Sequence, residues 1–248
     1  MSELTGIYAI WEREFRVFYR EKSRIISSII SPLFWLVIFG TGLGSSVSIS
    51  GTNYQVFIFP GIIVMSCLFT SMFYGVYVIW DKRLDFLKGV MVAPLKRSSI
   101  FFGKVLGGVT DALLQATILL ILAPFFKVHV GWNIILIYVF LFVLVFGLVS
   151  LGLIFGSMLE SPEGFGLINS MITFPLFFLS GALFPLSNLP AWLTLFTRIN
   201  PVTYGVDAIR YLMLGRGMFS LALDMTVLIL FAALVSIIGT TSFRKMKI

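Results

Sequence analysis

The sequence predicts an all-α integral membrane protein, and three observations support this fold class. Hydrophobic residues make up 58% of the 248 residues and charged residues only 12%, which is about half the charged share of a soluble domain. The apolar residues form runs of roughly 20 residues or more, the length that a helix needs to cross the hydrocarbon core. These runs lack the alternation of barrel strands, which leaves helices as the structure that satisfies its backbone in lipid.

Six spans are predicted, and an even number places both chain ends on the same side of the membrane. Fourteen of the 18 Lys and Arg residues fall on that side, so the positive-inside rule predicts cytoplasmic N- and C-termini in the plasma membrane. The link 159–164 departs from the rule because it holds Glu160 and Glu163 and no base, but acids contribute little to orientation. The predicted spans are residues 25–44, 56–80, 100–126, 134–158, 165–184 and 218–243.

Residues 1–24 are predicted to form an interfacial amphipathic helix, and residues 25–248 a single six-span domain. Basic and acidic residues fill one side of the helix, which is typical of a helix that lies at the membrane surface. Two interpretations stay open, a membrane anchor and a docking surface for a cytoplasmic partner. The opposite, apolar side consists of Leu4, Ile7, Tyr8, Trp11, Phe15 and Phe18.

The link between the second and third spans carries a short helical pattern of its own. One face combines Leu84, Leu87 and Met91, and Asp85 and Lys88 are spaced to form a local ion pair. Pro94 ends the element. Such a helix held between two spans is a lever for any protein that binds it, and the alternative is a basic loop that fixes the topology.

The chain is expected to be neither an enzyme nor a binder of cofactors, metals or nucleic acid. The nearest approach to a phosphate-binding loop is Gly103-Lys104, where Ser98 replaces the first glycine and Val105 replaces the hydroxyl residue. Any ATP and magnesium are therefore expected on a partner chain. Metal chemistry is not expected either, because the chain has one cysteine and one histidine.

Residues 165–197 contain no charge, and as one helix they would extend about 50 Å, against about 30 Å of hydrocarbon. Pro185 and Pro190 are predicted to end the fifth span and to start a short helix near the headgroups. Asn200 as N-cap and Pro201 as first residue predict a second short helix that ends at Gly215.

This second short helix carries polar residues at helical spacing. Asp207 and Arg210 are three residues apart and are expected to pair, and Tyr204 and Tyr211 share a face. Two short re-entrant helices before the last span are a candidate outer gate, because irregular backbone at membrane depth requires protein or a water-filled cavity around it. The alternative is a well-anchored outer loop.

Two stretches carry a family resemblance. "SGALFPLSNLPAWLTLFTRINPVTYGVDAIRYLMLG" at 180–215 and "VAPLKRSSIFFGKVLG" at 92–107 resemble the permease subunit of type-2 ABC exporters, in particular of the drug and lipo-oligosaccharide branches. The resemblance implies two paired permeases, a homodimer in the simplest case, that each dock a separate ATP-binding cassette subunit. It implies a coupling helix at 84–91, a second contact at 160–163 and an outer gate at 185–211. The polysaccharide-exporting branch stays open.

Asp111 lies near the middle of the third predicted span, where an ionisable residue is a functional hypothesis by default. Gln115, one turn further on, or Lys104, two turns back, is a candidate partner for it. Three roles stay open: a structural hydrogen bond, a polar group in a substrate cavity, and a proton carrier in a proton-coupled secondary transporter. The pairs Gly103/Gly107 and Gly152/Gly156 have the spacing of close helix packing.

Overall fold

A computed structural model describes residues 3–44, 48–49, 52–84, 95–128, 130–186 and 189–246. Helices account for most of these residues, which confirms the predicted fold class. Two strands, β1 (Ser48–Ile49) and β2 (Thr52–Asn53), form a small antiparallel pair, and a 3-10 turn covers Ala123–Phe126. The helices are α1 (Glu3–Arg20), α2 (Lys22–Gly44), α3 (Tyr54–Phe73), α4 (Val76–Arg83), α5 (Arg97–Leu122), α6 (Ile134–Met158), α7 (Pro162–Phe178), α8 (Ala191–Ile199), α9 (Pro201–Leu214) and α10 (Leu221–Lys245).

Within the described residues, five helical segments are long and apolar enough to cross a membrane. They coincide with the predicted spans one to four and six, whereas the predicted fifth span coincides with α7, which has 17 residues. Helix α7 ends at Phe178 because the chain turns there, with Gly181 in the left-handed region at a φ of 75°. The predicted end at residue 184 is therefore wrong, and the count of six spans stays a prediction. The five segments are Lys22–Gly40, Tyr54–Arg83, Arg97–Phe126, Ile134–Met158 and Leu221–Lys245.

Helices α3 and α4 form the centre of the fold. The most apolar window of Tyr54–Arg83 is 78% buried, against 22% for Leu221–Lys245 and 17% for Lys22–Gly40. Helix α3 packs against α2, α5, α6 and α9, while α2 and α10 lie at the periphery with apolar side chains exposed. In a membrane protein these exposed apolar faces contact lipid or another membrane helix.

Both predicted glycine pairs lie where helices approach each other closely. A Cβ on Gly156 of α6 would lie 2.0 Å from the carbonyl oxygen of Gly75, between α3 and α4. A Cβ on Gly152 would lie 2.6 Å from the carbonyl oxygen of Met72. Gly103 and Gly107 of α5 lie against α1 in the same way. The spacing therefore correctly predicted close helix packing.

Helix α1 is attached to the protein through a face that the apolar pattern did not predict. Gly6, Ile10, Glu14 and Phe18 are spaced by four residues and are buried, mainly against α5. The predicted apolar residues Leu4, Tyr8 and Phe15 are exposed instead. Helix α1 thus has a protein-facing stripe beside an exposed apolar edge, as expected of a helix that lies between a membrane domain and lipid.

Candidate functional site

Four charged side chains join α1, α4 and α5; we call Arg13, Glu14, Asp81 and Lys104 the ion cluster. The Lys104 Nζ lies 2.8 Å from Glu14 Oε1 and also contacts Asp81 Oδ2. Arg13 donates to Asp81 Oδ1 at 2.8 Å and to Glu14 Oε1 at 2.8 Å. Lys104 is fully buried, and Glu14 and Asp81 are each 4% exposed. Buried charges are stable only when paired in this way, so the cluster fixes the position of α4 relative to α1 and α5.

Glu14 stays ionised although it is buried. Burial raises the pKa of its carboxyl. The charges of Lys104 and Arg13 and the hydrogen bond that Tyr74 donates at 2.8 Å lower it, and together they outweigh burial, so that the pKa falls from 4.5 to about 2. Burial lowers the pKa of Arg13, and the hydrogen bond and charge of Asp81 outweigh this and raise it. Helix α1 therefore contributes one anion and one cation to the ion cluster at neutral pH.

Acid is expected to weaken the ion cluster. Because the pKa of Glu14 is lower in the folded than in the unfolded chain, its stabilisation is complete above about pH 5 and is lost as the pH falls toward about 2. The unfolding free energy measured in detergent from pH 6 to pH 3 should fall more steeply for the wild type than for Glu14→Gln. The half-exposed Glu12, which lies outside the cluster, is the control, and Glu12→Gln should keep the wild-type slope. Equal slopes for wild type and Glu14→Gln would contradict the assignment.

A second set of bonds joins the end of α4 to the end of α6. Lys82 Nζ donates to the carbonyl oxygens of Ser157 at 2.7 Å and Gly156 at 3.3 Å, and Arg83 donates to that of Glu160 at 3.3 Å. Cations suit the C-terminus of a helix because its last carbonyls lack partners. The link 159–164 has no basic residue of its own, and Lys82 and Arg83 of α4 supply the positive charge at this end of α6.

The predicted coupling residues fall around this junction. Leu84 follows α4 directly and is 72% exposed. Glu160 and Glu163, both within the link 159–164, are also exposed. The structure therefore places the start of the predicted coupling helix, residues 84–91, next to the predicted second contact, residues 160–163. The remaining predicted residues lie outside the described residues: Asp85, Leu87, Lys88 and Met91.

Asp111 pairs with a residue that the sequence pattern did not indicate. Its Oδ2 accepts a hydrogen bond from Arg24 of α2 at 2.8 Å, while Lys104 belongs to the ion cluster. Gln115 bonds to the Thr70 hydroxyl and the Ser28 carbonyl oxygen. The expected pairing of Asp111 with Gln115 or Lys104 is wrong. The amide of Gln115 bonds to α2 and α3 instead, and the Nζ of Lys104 bonds to α1 and α4.

Asp111 and Gln115 lie in the wall of a cavity of about 300 Å³ between α2, α3, α5 and α7. Polar side chains from all four helices line it, and Phe18, Phe69 and Phe73 form part of its apolar wall. Among the described residues, no three His, Cys, Asp or Glu side chains lie close enough together to hold a metal ion. The polar lining comprises Arg24, Ser28, Thr70, Asp111, Gln115 and Asn169, among others.

The predicted outer segment has the helices that its capping residues indicate. Pro190 directly precedes α8, and Pro185 lies in the irregular stretch after α7. Asn200 caps α9 by accepting from the Val202 amide at 3.0 Å, Pro201 is its first residue, and Gly215 ends it at a φ of 69°. These caps confirm the predicted second short helix.

Asp207 and Arg210 do not pair, contrary to the prediction from their spacing. Asp207 accepts from the Met218 amide at 2.8 Å and the Phe219 amide at 2.9 Å. Arg210 donates to the carbonyl oxygen of Gly181 at 2.7 Å, and its guanidinium lies 4.2 Å from the Phe57 ring centroid. The two side chains point to different neighbours of α9, and together they fix it to the loop before α10 and to the turn after α7.

Tyr204 and Tyr211 also have different surroundings. Tyr204 is 7% exposed, donates to the carbonyl oxygen of Arg198 at 2.7 Å and stacks on Phe219, whereas Tyr211 is 45% exposed. Helix α9 is thus bonded to α8, to the turn after α7 and to the loop before α10. The candidate gate is thus one connected unit, which fits both the outer gate and the well-anchored outer loop, and the gate stays a prediction.

The family profile described as ABC-2 type transporter matches residues 5–214 of the 248-residue chain. This chain belongs to the ABC-2 type transporter family. The match includes nearly all of α1, the ion cluster, the cavity and α9. The resemblance inferred from the two quoted stretches is therefore confirmed, and the protein is a multi-pass membrane transport permease.

Several curated relatives align with this ABC-2 permease over most of their length. The ycf38 protein of Porphyra purpurea, named as a transport permease, is 30% identical over 83% of this chain and 73% of its own. Nodulation protein J of Rhizobium leguminosarum bv. viciae is 25% identical over 96% and 93%. The inner membrane transport permease YadH of Escherichia coli K12 is 27% identical over 91% and 90%. The similarity to these relatives thus covers between 83% and 96% of this chain.

Proposed function

We propose that this ABC-2 permease is the membrane subunit of an ATP-driven exporter. It moves a hydrophobic or amphiphilic substrate across the plasma membrane, as a pair of permease copies with cytoplasmic termini. A separate ATP-binding cassette subunit carries the ATP and magnesium. Family membership and the lack of a phosphate-binding loop in the sequence support this division of labour.

One observation supports the coupling role most directly: both flanks of the link 85–94 are bonded to other helices. Before the link, Asp81 belongs to the ion cluster and Lys82 binds the end of α6. After it, Arg97 donates to the carbonyl oxygen of Arg244 in α10 at 2.7 Å, and Ser99 donates to Glu3 of α1. A force applied to this link would therefore act on α1, α6 and α10 as well as on α4 and α5.

Replacing residues 84–91 with a Gly/Ser linker of equal length should abolish association with the ATP-binding subunit. The test is co-purification from native membranes in mild detergent, with mass identification of bound proteins and an ATP hydrolysis assay. The control is Trp192→Ala on α8, an exposed residue in the predicted outer segment, which should keep the complex. Normal recovery of the ATP-binding subunit with the linker variant would show that the coupling assignment is wrong.

A proton-coupled secondary transporter that uses Asp111 is the competing function, and a polysaccharide exporter is the competing branch. The ion pair of Asp111 with Arg24 favours a fixed structural or binding role for this carboxylate over proton transfer. A permease that purifies alone and shows no associated ATP hydrolysis would contradict the motor-driven proposal. In that case, loss of transport in Asp111→Asn would support the proton-coupled function.

A further inference from the structure

We infer that the junction of α1 and α2 binds the head group of an anionic phospholipid through Arg16, Arg20 and Lys22, whose side chains are exposed. We call these three residues the basic junction. The inference goes beyond the proposed transport function and rests on it only for the membrane orientation, which places the junction at the cytoplasmic leaflet. The occupant is a lipid with a net negative charge, such as phosphatidylglycerol, rather than a zwitterionic lipid.

Helix α1 has three sides of different character, and only one of them packs on the protein. The buried stripe contacts mainly α5. Tyr8, Phe15 and Tyr19 form the exposed apolar edge beside it. At 3.6 residues per turn, Arg16 and Arg20 lie one above the other on the next, polar side. A helix with this division places its apolar edge in lipid and its basic side chains at the level of the head groups.

Lys22 brings a third cation to the same place from α2. Helix α1 ends at Arg20 and α2 begins at Lys22, so the Cα atoms of these two residues are at most about 7 Å apart. Ile26 and Ile30, one and two turns after Lys22, are exposed. Since α2 is among the helices that can cross a membrane, these two side chains contact acyl chains. Lys22 therefore lies where the head group of the same lipid begins.

The protein leaves most of this positive charge available. The side chains of Arg20 and Lys22 form no hydrogen bond or ion pair with the part of the chain that the structure describes. Arg16 pairs with Glu12 at 2.6 Å, and its side chain remains 69% exposed. By contrast, the other two bases of residues 1–24 are paired with buried carboxylates of α4 and α5. The basic junction thus contains the bases of this segment that are free to bind a ligand.

The acid between Arg20 and Lys22 is directed to other partners. Glu21 accepts from the Tyr77 hydroxyl at 2.9 Å and lies 3.6 Å from the Arg24 guanidinium. Because Glu12 offsets one of the three charges of the basic junction, a net charge of about two remains. A lipid phosphate neutralises this charge while its acyl chains cover the exposed apolar side chains on both helices. An acidic protein surface would supply the charge but not the apolar contact.

The test uses the full-length chain in nanodiscs, with Cys67→Ala and a bimane label on Ile26→Cys, at the lipid-facing side of α2. Bromine is carried by the acyl chains of either phosphatidylglycerol or phosphatidylcholine, and quenching of the label gives the relative association constant of the two lipids. We expect this constant to favour phosphatidylglycerol by about fivefold or more, because each base near the surface contributes about that factor. Equal quenching by the two lipids would overturn the inference.

Two double variants remove the same charge at different places. Arg20→Gln/Lys22→Gln should bring the relative association constant close to one. Arg244→Gln/Lys245→Gln, at exposed positions at the end of α10, should keep the wild-type preference. That end of α10 is bonded to the start of α5, which also bonds to Glu3, and the 18 residues of α1 extend about 27 Å from there to the junction, several times the screening length. A preference that survives Arg20→Gln/Lys22→Gln, or that falls equally in both variants, would overturn the assignment.

An acidic surface of the ATP-binding subunit is the other occupant whose charge would suit the basic junction. In that case Arg20→Gln/Lys22→Gln would reduce co-purification of that subunit and leave the lipid preference unchanged, which would overturn the lipid site. The nanodisc assay contains the permease alone and the same lipids in both leaflets. It depends neither on ATP hydrolysis nor on membrane orientation, so failure of the proposed function and failure of this site are distinguishable.

Discussion

Lys104→Met is expected to lower the unfolding free energy by about 3–5 kcal/mol, because removal of one partner leaves buried charges uncompensated. Glu14 and Asp81 would remain almost fully buried, with Arg13 as their only cation in the ion cluster. Methionine matches the length of the lysine chain, so the effect of lost packing is small. The loss should therefore report the charge itself.

The measurement is reversible unfolding in detergent, with an exposed ion pair as control. Arg16→Gln removes the partner of Glu12, which lies at the surface of α1, and should cost no more than about 1 kcal/mol. The double variant Lys104→Met/Glu14→Gln should lose less than the sum of its single variants, because it removes an anion together with the cation. A Lys104→Met protein as stable as Arg16→Gln would show that the cluster does not fix α4.

The sequence was sufficient to predict features that depend on local patterns. Hydropathy fixes which stretches form long helices, and the caps of α9 follow from Asn200, Pro201 and Gly215 without reference to the rest of the chain. The end of α7 was placed six residues too late because apolar residues continue after Phe178. Apolar composition indicates that a stretch lies in lipid, but it does not show where the helix ends. The end depends on a turn of the backbone, here at Gly181.

Partners of charged residues were not predictable, because they lie on helices that are distant in sequence. Arg24 is 87 residues from Asp111, and Asp207 bonds to backbone amides of the loop before α10 rather than to Arg210. A linear pattern gives the face of a helix but not which helix covers it. One signal was present: Glu14 is spaced by four from the apolar Ile10 and Phe18, and an acid in such a stripe indicates a buried cation opposite.

Gly156→Ala is expected to destabilise the protein by about 3 kcal/mol or more, although alanine is favoured over glycine in a helix by about 1 kcal/mol. Its Cβ would lie 2.0 Å from the Gly75 carbonyl oxygen, which is backbone and cannot rotate away. Helices α4 and α6 must then separate. The sign of the effect thus distinguishes close packing from helix propensity.

Gly166→Ala in α7 is the matched control, because a Cβ there would have no atom within 4 Å. This variant should be neutral or more stable by up to about 1 kcal/mol. Separation of α4 from α6 would also break the bonds from Lys82 to Ser157 and Gly156. Under the proposed motor-driven function, ATP hydrolysis by the purified complex should therefore fall in Gly156→Ala and not in Gly166→Ala. If both variants behave alike in stability and hydrolysis, α4 and α6 are not in this contact, and the path from the link 85–94 to α6 is wrong.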